Sequence, residues 1–195
     1  GTPYWYVDNG YFLSKWSGGD YYRITRNAEQ HSGAGNSDRK RWKALGLKIT
    51  PWTMGGGHIL VVCQSEFWHE RHGDGGAAAF GAKVVAELAR YTKRKVIVRG
   101  KPIGGHVEPP LEEHIRGAWA TVAYSSIVAA QGLLAGVPAI MLAPGAMGTV
   151  ASLDLSQIEQ PFRPKDRERG ASVLADNQWT LAEIANGTAW KALNG

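Results

Sequence analysis

A run of 37 consecutive residues, from Gly117 to Leu153, contains no charged side chain and no histidine. The run is longer than the roughly 20 apolar residues that a membrane-spanning helix needs. However, Gly136 and Pro138 lie in its middle and would break such a helix. Buried parallel strands also give uninterrupted apolar stretches. The run therefore predicts two buried strands around a short helix, and we expect no integral membrane segment.

Strand-like and helix-like patterns alternate along the chain on both sides of this run. Strands are predicted at 58–64, 95–99, 119–124 and 138–142, and helices at 76–91, 111–116 and 126–135. Alternation at this spacing indicates parallel strands joined by right-handed crossovers. We therefore predict an α/β fold, with a Rossmann-like parallel sheet flanked by helices over residues 55–160.

The regions before and after this alternating pattern differ from it in predicted secondary structure. Residues 1–54 are predicted to form a strand-rich N-terminal segment, with strands at 4–8 and 20–26 and a short basic helix at 39–45. Residues 161–195 are predicted to form a helical C-terminal tail, in which Thr180 and Glu183 have the spacing of a capping box. Within the core, the polar stretch 66–74 is predicted to be a loop.

Charge and cysteine content narrow the functional classes. Residues 1–101 carry 16 Lys and Arg side chains against 8 Asp and Glu, whereas residues 102–195 carry 6 against 9. A positive first half favours an anionic partner such as phosphate, a nucleotide or nucleic acid. Cys63 is the one cysteine, which excludes an intrachain disulfide and favours a reducing, cytoplasmic location.

Two small hydroxyl residues, Ser125 and Ser126, follow the predicted strand 119–124 where a helix is expected to begin. Such residues leave main-chain amides free at the positive end of the helix, which suits a phosphate. In open α/β sheets, ligands bind at the carboxyl ends of the strands. The alternative is that Ser126 only caps its helix.

The segment 125–140 resembles the donor-nucleotide segment of GT-B glycosyltransferases, most closely those related to capsular polysaccharide synthesis. In that family a Ser/Thr pair after a strand faces the donor phosphates, and a Gly-x-Pro step leads into the next strand. The matching residues here are Ser125, Ser126, Gly136 and Pro138. Gln131 stands where the family commonly has a carboxylate that meets the donor's nucleoside. An amide there can still hydrogen-bond a ribose hydroxyl, but without charge assistance.

The segment 99–102 is similar to the family's strand that ends in a basic residue before proline. The resemblance implies that Arg99 and Lys101 meet the donor diphosphate, and the alternative is a solvated strand end. Gln64 closes the first core strand on the same edge and is expected to line the cleft. The resemblance covers residues 55–160 and implies a metal-independent transferase that uses a nucleotide sugar as donor substrate, with no separate cofactor.

A transfer of this kind needs a group that deprotonates the acceptor hydroxyl. Asp8, at the end of a predicted strand, and His58, after three glycines, are the candidate catalytic residues, and a structural role is the alternative for each. A GT-B enzyme has two Rossmann-like domains, so residues 1–54 are interpreted as the remnant of an acceptor domain or a compact replacement for it. The implied acceptor is a glycan, as in polysaccharide biosynthesis, or a modified DNA base.

Two further patterns suggest other chemistry. His69 and His72, with Glu70 and Asp74, are metal-ligand types, but His-x-x-His lacks the i, i+4 geometry of helical zinc sites. We therefore predict no metal site. Aromatic and basic residues interleave at 21–26 and 39–43, as they do in stacking platforms for nucleic acid. The alternative function is therefore a non-catalytic nucleic-acid-binding module on a nucleotide-binding fold.

Overall fold

The computed structural model describes residues 2–101 and 109–194. The strands are β1 (Trp5–Asn9), β2 (Tyr21–Arg26), β3 (His58–Val62), β4 (Lys95–Arg99), β5 (Ala118–Ala123), β6 (Ala139–Met141) and β7 (Trp179–Thr180). The α-helices are α1 (Lys40–Leu45), α2 (Glu66–Arg71), α3 (Ala77–Leu88), α4 (Leu111–Arg116), α5 (Val128–Ala135), α6 (Arg167–Asp176), α7 (Leu181–Ala185) and α8 (Thr188–Asn194). Short 3-10 helices occupy Lys15–Ser17 and Leu155–Glu159.

A four-stranded parallel sheet with the order β4-β3-β5-β6 forms the centre of the molecule. This confirms the predicted α/β architecture with helices flanking a parallel sheet. Val62 at the end of β3 pairs with Arg99 of β4 and with Ala123 of β5, so the carboxyl ends of the three strands meet at one edge. The chain adds β4 on one side of β3 and β5 on the other. The gap between β3 and β5 is therefore the topological switch point, where ligands bind in open α/β sheets.

Burial on both faces explains the charge-free run. Every residue of β5 is buried, and β6 is buried as well. On one face of the sheet, β3 and β5 share an apolar cluster with side chains of α3, and on the other face they share a second cluster with α4 and α5. The prediction of two buried strands around a short helix is thus confirmed, since α5 connects β5 to β6.

The two ends of the chain form a second, antiparallel sheet with the order β1-β2-β7. The C-terminal tail is therefore not helical throughout, because Trp179 and Thr180 pair with β2. Buried Gln178 ties the two ends further, since its Oε1 accepts a hydrogen bond from the Phe12 amide at 2.9 Å. Side chains of both ends also share one apolar cluster with α5 and β6, which attaches the two ends of the chain to the core.

Two other elements can be compared with what the sequence predicts. The stretch 66–74 is not all loop, because α2 forms within it and Ser65 Oγ accepts a hydrogen bond from the Trp68 amide at 3.3 Å. The capping box is confirmed: Thr180 Oγ1 accepts from the Glu183 amide at 3.2 Å, and Glu183 Oε2 accepts from the Thr180 amide at 2.9 Å.

Within the described part of the chain, no helix has both the length and the apolar character needed to cross a bilayer.

The loop after β2 carries a partly buried histidine. His31 packs edge-on against buried Tyr11, with ring centroids 5.5 Å apart, and its Nδ1 accepts a hydrogen bond from the Gly33 amide at 2.8 Å. Burial, together with the charge of Arg23, lowers the pKa of His31 from 6.5 to about 4. The imidazole is therefore neutral in the folded protein at neutral pH.

We expect His31 to make the fold sensitive to acid. The unfolded chain protonates this side chain near pH 6.5 and the folded protein only near pH 4, so stability present above pH 6.5 is lost as the pH falls through this window. Denaturant unfolding at pH 7.5 and at pH 4.5 measures this loss of stability. Between these two pH values, the free energy of unfolding of wild type should fall by about 2 kcal/mol more than that of His31→Gln. Equal losses in the two proteins would contradict the prediction.

Candidate functional site

A cavity of about 450 Å³ lies at the carboxyl ends of β3, β4 and β5, at the switch point of the sheet. Its walls come from the strand ends, from the turn between β5 and α5, and from β1 and β2 of the second sheet. The structure brings seven of the eight predicted site residues together there: Asp8, Gln64, Arg99, Lys101, Ser125, Ser126 and Gln131. The wall also includes Asn9, Arg23, Val62, Cys63, Gly100, Leu111, Ile127 and Val128.

The turn between β5 and α5 combines two properties. Ser126 Oγ accepts a hydrogen bond from the Val128 amide at 3.2 Å, so Ser126 does stabilise the start of the helix. The amides of Ser125, Ser126 and Ile127 nevertheless donate to no partner among the described residues. The turn therefore has main-chain donors to offer at the edge of the cavity, next to the positive end of α5.

Gln64 lies opposite this turn. Its Nε2 is 3.5 Å from Ser125 Oγ, at the long end of hydrogen-bond distances. Its position is fixed through the main chain, because the Gln64 amide donates to His69 Nε2 at 3.0 Å. Gln64 therefore lies in the wall of the cavity, at the carboxyl end of β3.

Arg99 contributes to the cavity a positive charge whose position is fixed by hydrogen bonds. Its side chain closes β4 and the residue is 9% exposed. Nη1 donates to the Pro109 carbonyl at 2.6 Å and lies 3.0 Å from His114 Nδ1. Because a guanidinium nitrogen only donates, Nδ1 must be the acceptor of this contact and His114 carries its proton on Nε2. Lys101 adds a second cation on the exposed rim, while Pro102 of the predicted motif lies outside the described residues.

Asp8 is at the cavity wall, but its carboxylate is already engaged. Oδ2 is 2.6 Å from Arg23 Nη2, and Oδ1 accepts from the Asn9 amide at 2.7 Å. The Arg23 side chain is 6% exposed and also donates to the carbonyls of Asn9 and Glu29. Loss of the Asp8 charge would leave the buried Arg23 guanidinium without its carboxylate partner, although the Asp8 side chain itself is 36% exposed. The geometry therefore supports a structural role for Asp8, which was the alternative, at least as strongly as a role as base.

Gln131 projects from the second turn of α5 to the cavity. Its Oε1 is buried and has no hydrogen-bond partner among the described residues. A buried acceptor without a donor costs about 1–3 kcal/mol. A ligand hydroxyl could offset this cost after a small side-chain rotation, which is the chemistry predicted for this position.

His58 is not brought to the cavity. It opens β3, so the strand separates it by about 13 Å from the carboxyl end of the sheet. Its Nε2 is 3.0 Å from the His114 carbonyl, and the two rings pack edge-on with centroids 6.0 Å apart. Burial lowers the pKa of His58. These contacts give His58 a structural role at the opposite edge of the sheet and leave it out of reach of a substrate in this cavity.

The histidines of the predicted polar loop have other partners. His69 is fully buried; its Nδ1 is 3.1 Å from Asp74 Oδ2, and its Nε2 accepts from the Gln64 amide. Both ring nitrogens are thus engaged, so His69 orders the end of β3 instead of presenting a metal ligand. Across 2–101 and 109–194, no three His, Cys, Asp or Glu side chains are grouped as metal ligands.

Three basic side chains of the face predicted for nucleic acid form ion pairs. Arg39 contacts Asp166 at 3.1 Å, Lys40 contacts Asp38 at 2.8 Å and Arg41 contacts Glu183 at 2.6 Å. Trp42 is buried in the core, so its ring cannot serve as a stacking platform. Arg23, from the other interleaved stretch, is buried at the cavity. Ion pairs and burial therefore engage several of the side chains that the sequence assigned to a nucleic-acid-binding face.

Apart from Asp8, the residues that the second sheet contributes to the cavity were not predicted from the sequence. Asn9 and Arg23 line the wall because β1 and β2 are neighbours in that sheet, with Asp8 paired to Arg23 in register. No spacing in the sequence indicates that β1 and β2 pack beside the end of β5.

No protein-family model matches the chain, and a search of curated proteins gives no match.

Proposed function

We propose that this cavity binds the diphosphate and nucleoside of a nucleotide sugar, and that the protein is a GT-B-like, metal-independent glycosyltransferase. Its acceptor would be a glycan or a modified DNA base. The observation that supports the proposal best is the convergence of Arg99, Lys101 and the Ser125–Ser126 turn at the switch point. Topology, charge and main-chain donors all favour an anionic ligand at this one place.

The diphosphate would lie between the turn and the two cations. Main-chain amides of Ser125 and Ser126 would donate to the phosphate oxygens, and Arg99 would add charge-assisted hydrogen bonds. In a glycosyl transfer the nucleoside diphosphate is the leaving group, and negative charge grows on its terminal phosphate as the bond to the sugar breaks. Fixed donors and cations at that phosphate would stabilise the developing charge.

The nucleoside would lie deeper along α5. Gln131 would hydrogen-bond a ribose hydroxyl, which would give its buried Oε1 a partner. The apolar side chains of Leu111, Ile127 and Val128 line the same cavity and would cover the faces of a base. Of the two predicted catalytic residues, Asp8 is the one at the cavity and stays the candidate base, and its carboxylate also forms an ion pair with Arg23.

A calorimetric titration with a panel of nucleoside diphosphates and nucleotide sugars tests donor binding. We expect one base to bind with a dissociation constant below millimolar and Lys101→Ala to weaken it by about threefold to tenfold, as loss of one partly screened charge does. Lys48→Ala, which removes an exposed cation away from the cavity, is the matched control and should bind like wild type. If wild type binds no member of the panel at millimolar concentration, the proposal fails.

A further inference from the structure

The side chain of Gln30 connects three segments that are far apart in sequence. Gln30 is partly buried in the loop after β2. Its Nε2 donates to the Ser125 carbonyl, and its Oε1 accepts a hydrogen bond from the Ala146 amide at 3.2 Å. The amide therefore ties the N-terminal segment to the turn after β5 and to the turn after β6.

Two glycines lie next to the contacts that Gln30 makes. A Cβ atom on Gly145 would lie 2.7 Å from Gln30 Oε1, and one on Gly33 would lie 2.4 Å from the Ala146 carbonyl oxygen. A side chain at Gly33 would push the 30–33 loop away from the 145–146 turn, because its neighbour is a main-chain atom. A side chain at Gly145 would instead displace the end of the Gln30 side chain from its hydrogen bonds.

The contact with Ser125 has a consequence for the next residue. The peptide unit that joins Ser125 to Ser126 is planar, and in the trans form its C=O and N–H point in opposite directions. Gln30 holds the carbonyl and is not part of the cavity wall, whereas Ser126 is. Fixing the carbonyl towards Gln30 therefore directs the Ser126 N–H away from Gln30, and this N–H has no partner among the described residues.

We infer that Gln30 is a positioning residue for the anion site: by holding the Ser125 carbonyl, it aims the Ser126 amide at the phosphate of the ligand. This inference deepens the proposed function and depends on it. The inference also gives the N-terminal segment a part in donor binding. Without Gln30 the peptide unit between Ser125 and Ser126 can rotate, so ligand binding must pay the entropy of ordering the Ser126 N–H.

Two substitutions separate the two hydrogen bonds of Gln30. Gln30→Glu keeps an acceptor for the Ala146 amide but cannot donate to the Ser125 carbonyl, whereas Gln30→Met has similar size and makes neither bond. We expect both to weaken UDP binding by about fivefold to tenfold in calorimetry, with binding of uridine unchanged. The added charge of Gln30→Glu is controlled by repeating the titration at high salt, which screens repulsion but does not restore the bond. Gln160→Met, at an exposed glutamine, should match wild type.

A nitrogen-15 NMR titration reads the positioning directly. In wild type the Ser126 amide resonance should shift on addition of UDP, and in Gln30→Met this shift should be lost or strongly reduced. If wild type binds no nucleoside diphosphate, the proposed function and this inference fail together. If wild type binds UDP but both variants bind it equally well and keep the Ser126 shift, the inference alone is overturned. A merely structural role would lower the melting temperature and leave the Ser126 shift in place, which also overturns it.

Discussion

Arg99→Met is expected to weaken UDP binding by roughly 10- to 100-fold, the largest effect of any single substitution at the cavity. The guanidinium is buried at the end of β4 and is held by the Pro109 carbonyl and His114 Nδ1. A ligand therefore does not have to order it, and little side-chain entropy is lost on binding. A hydrogen bond to a charged group contributes about 1.5–3 kcal/mol, which corresponds to the stated range of affinity. Calorimetry with UDP measures the effect.

The control for Arg99→Met is Arg116→Met, at an exposed arginine on α4 outside the cavity. It removes the same charge from the same part of the fold and should change the affinity by less than about twofold, since exposed charges are well screened. Melting temperatures should show that both variants are folded. A folded Arg99→Met protein with wild-type affinity would show that Arg99 does not contact the diphosphate.

The core sheet and one edge of the site could be predicted from the sequence because they depend on local pattern. An apolar β-branched run, such as the one in β3, marks a strand that is buried on both faces. Alternation with helices then makes the strands parallel, so their carboxyl ends meet. Gln64, Arg99 and Ser125 each follow or close such a strand, which is why the structure brings them together.

The sequence already contained an argument against His58. The predicted strand began at His58, and parallel α/β sheets bind ligands at the opposite, carboxyl ends of their strands. The chemical suitability of an imidazole as a base made His58 a candidate, but its place in the strand was the more informative property. Position in the fold therefore has to be weighed before side-chain chemistry.

Contacts between distant segments could not be predicted from one sequence. Arg39 pairs with Asp166 and Arg41 with Glu183, so acidic residues of the C-terminal tail contact a stretch that reads as an exposed basic helix. The helix α2 was not predicted for a related reason. Its buried residue is the polar His69, whereas its apolar Phe67 is exposed, so the sequence lacks the apolar periodicity of a packed helix. Gln30 gives no signal at all, because its role depends on main-chain atoms of two other turns.

Gly136→Ala is expected to lower the free energy of unfolding by about 3 kcal/mol or more, because three costs add at this position. Gly136 ends α5 with φ of +75°, where an L side chain is strained. Its Cβ would lie 2.1 Å from the Pro51 carbonyl oxygen, a main-chain atom that can move only with its segment. That segment is attached to α5 by hydrogen bonds from Thr50 to Leu134 and from Thr53 to Gly136, both 2.8 Å, which the movement would break.

Gly46→Ala is the matched control for this prediction. Gly46 ends α1 with φ of +65°, but a Cβ there would have no atom within 4 Å. Gly46→Ala should therefore lower the free energy of unfolding by only about 1–2 kcal/mol, the cost of placing an L side chain at positive φ. Denaturant unfolding of both variants gives the difference, and equal losses would show that the Pro51 contact is not confining. A larger loss at Gly136 would give the glycine of the Gly-x-Pro step a physical reason: only a residue without a Cβ lets the segment 50–53 contact the end of α5.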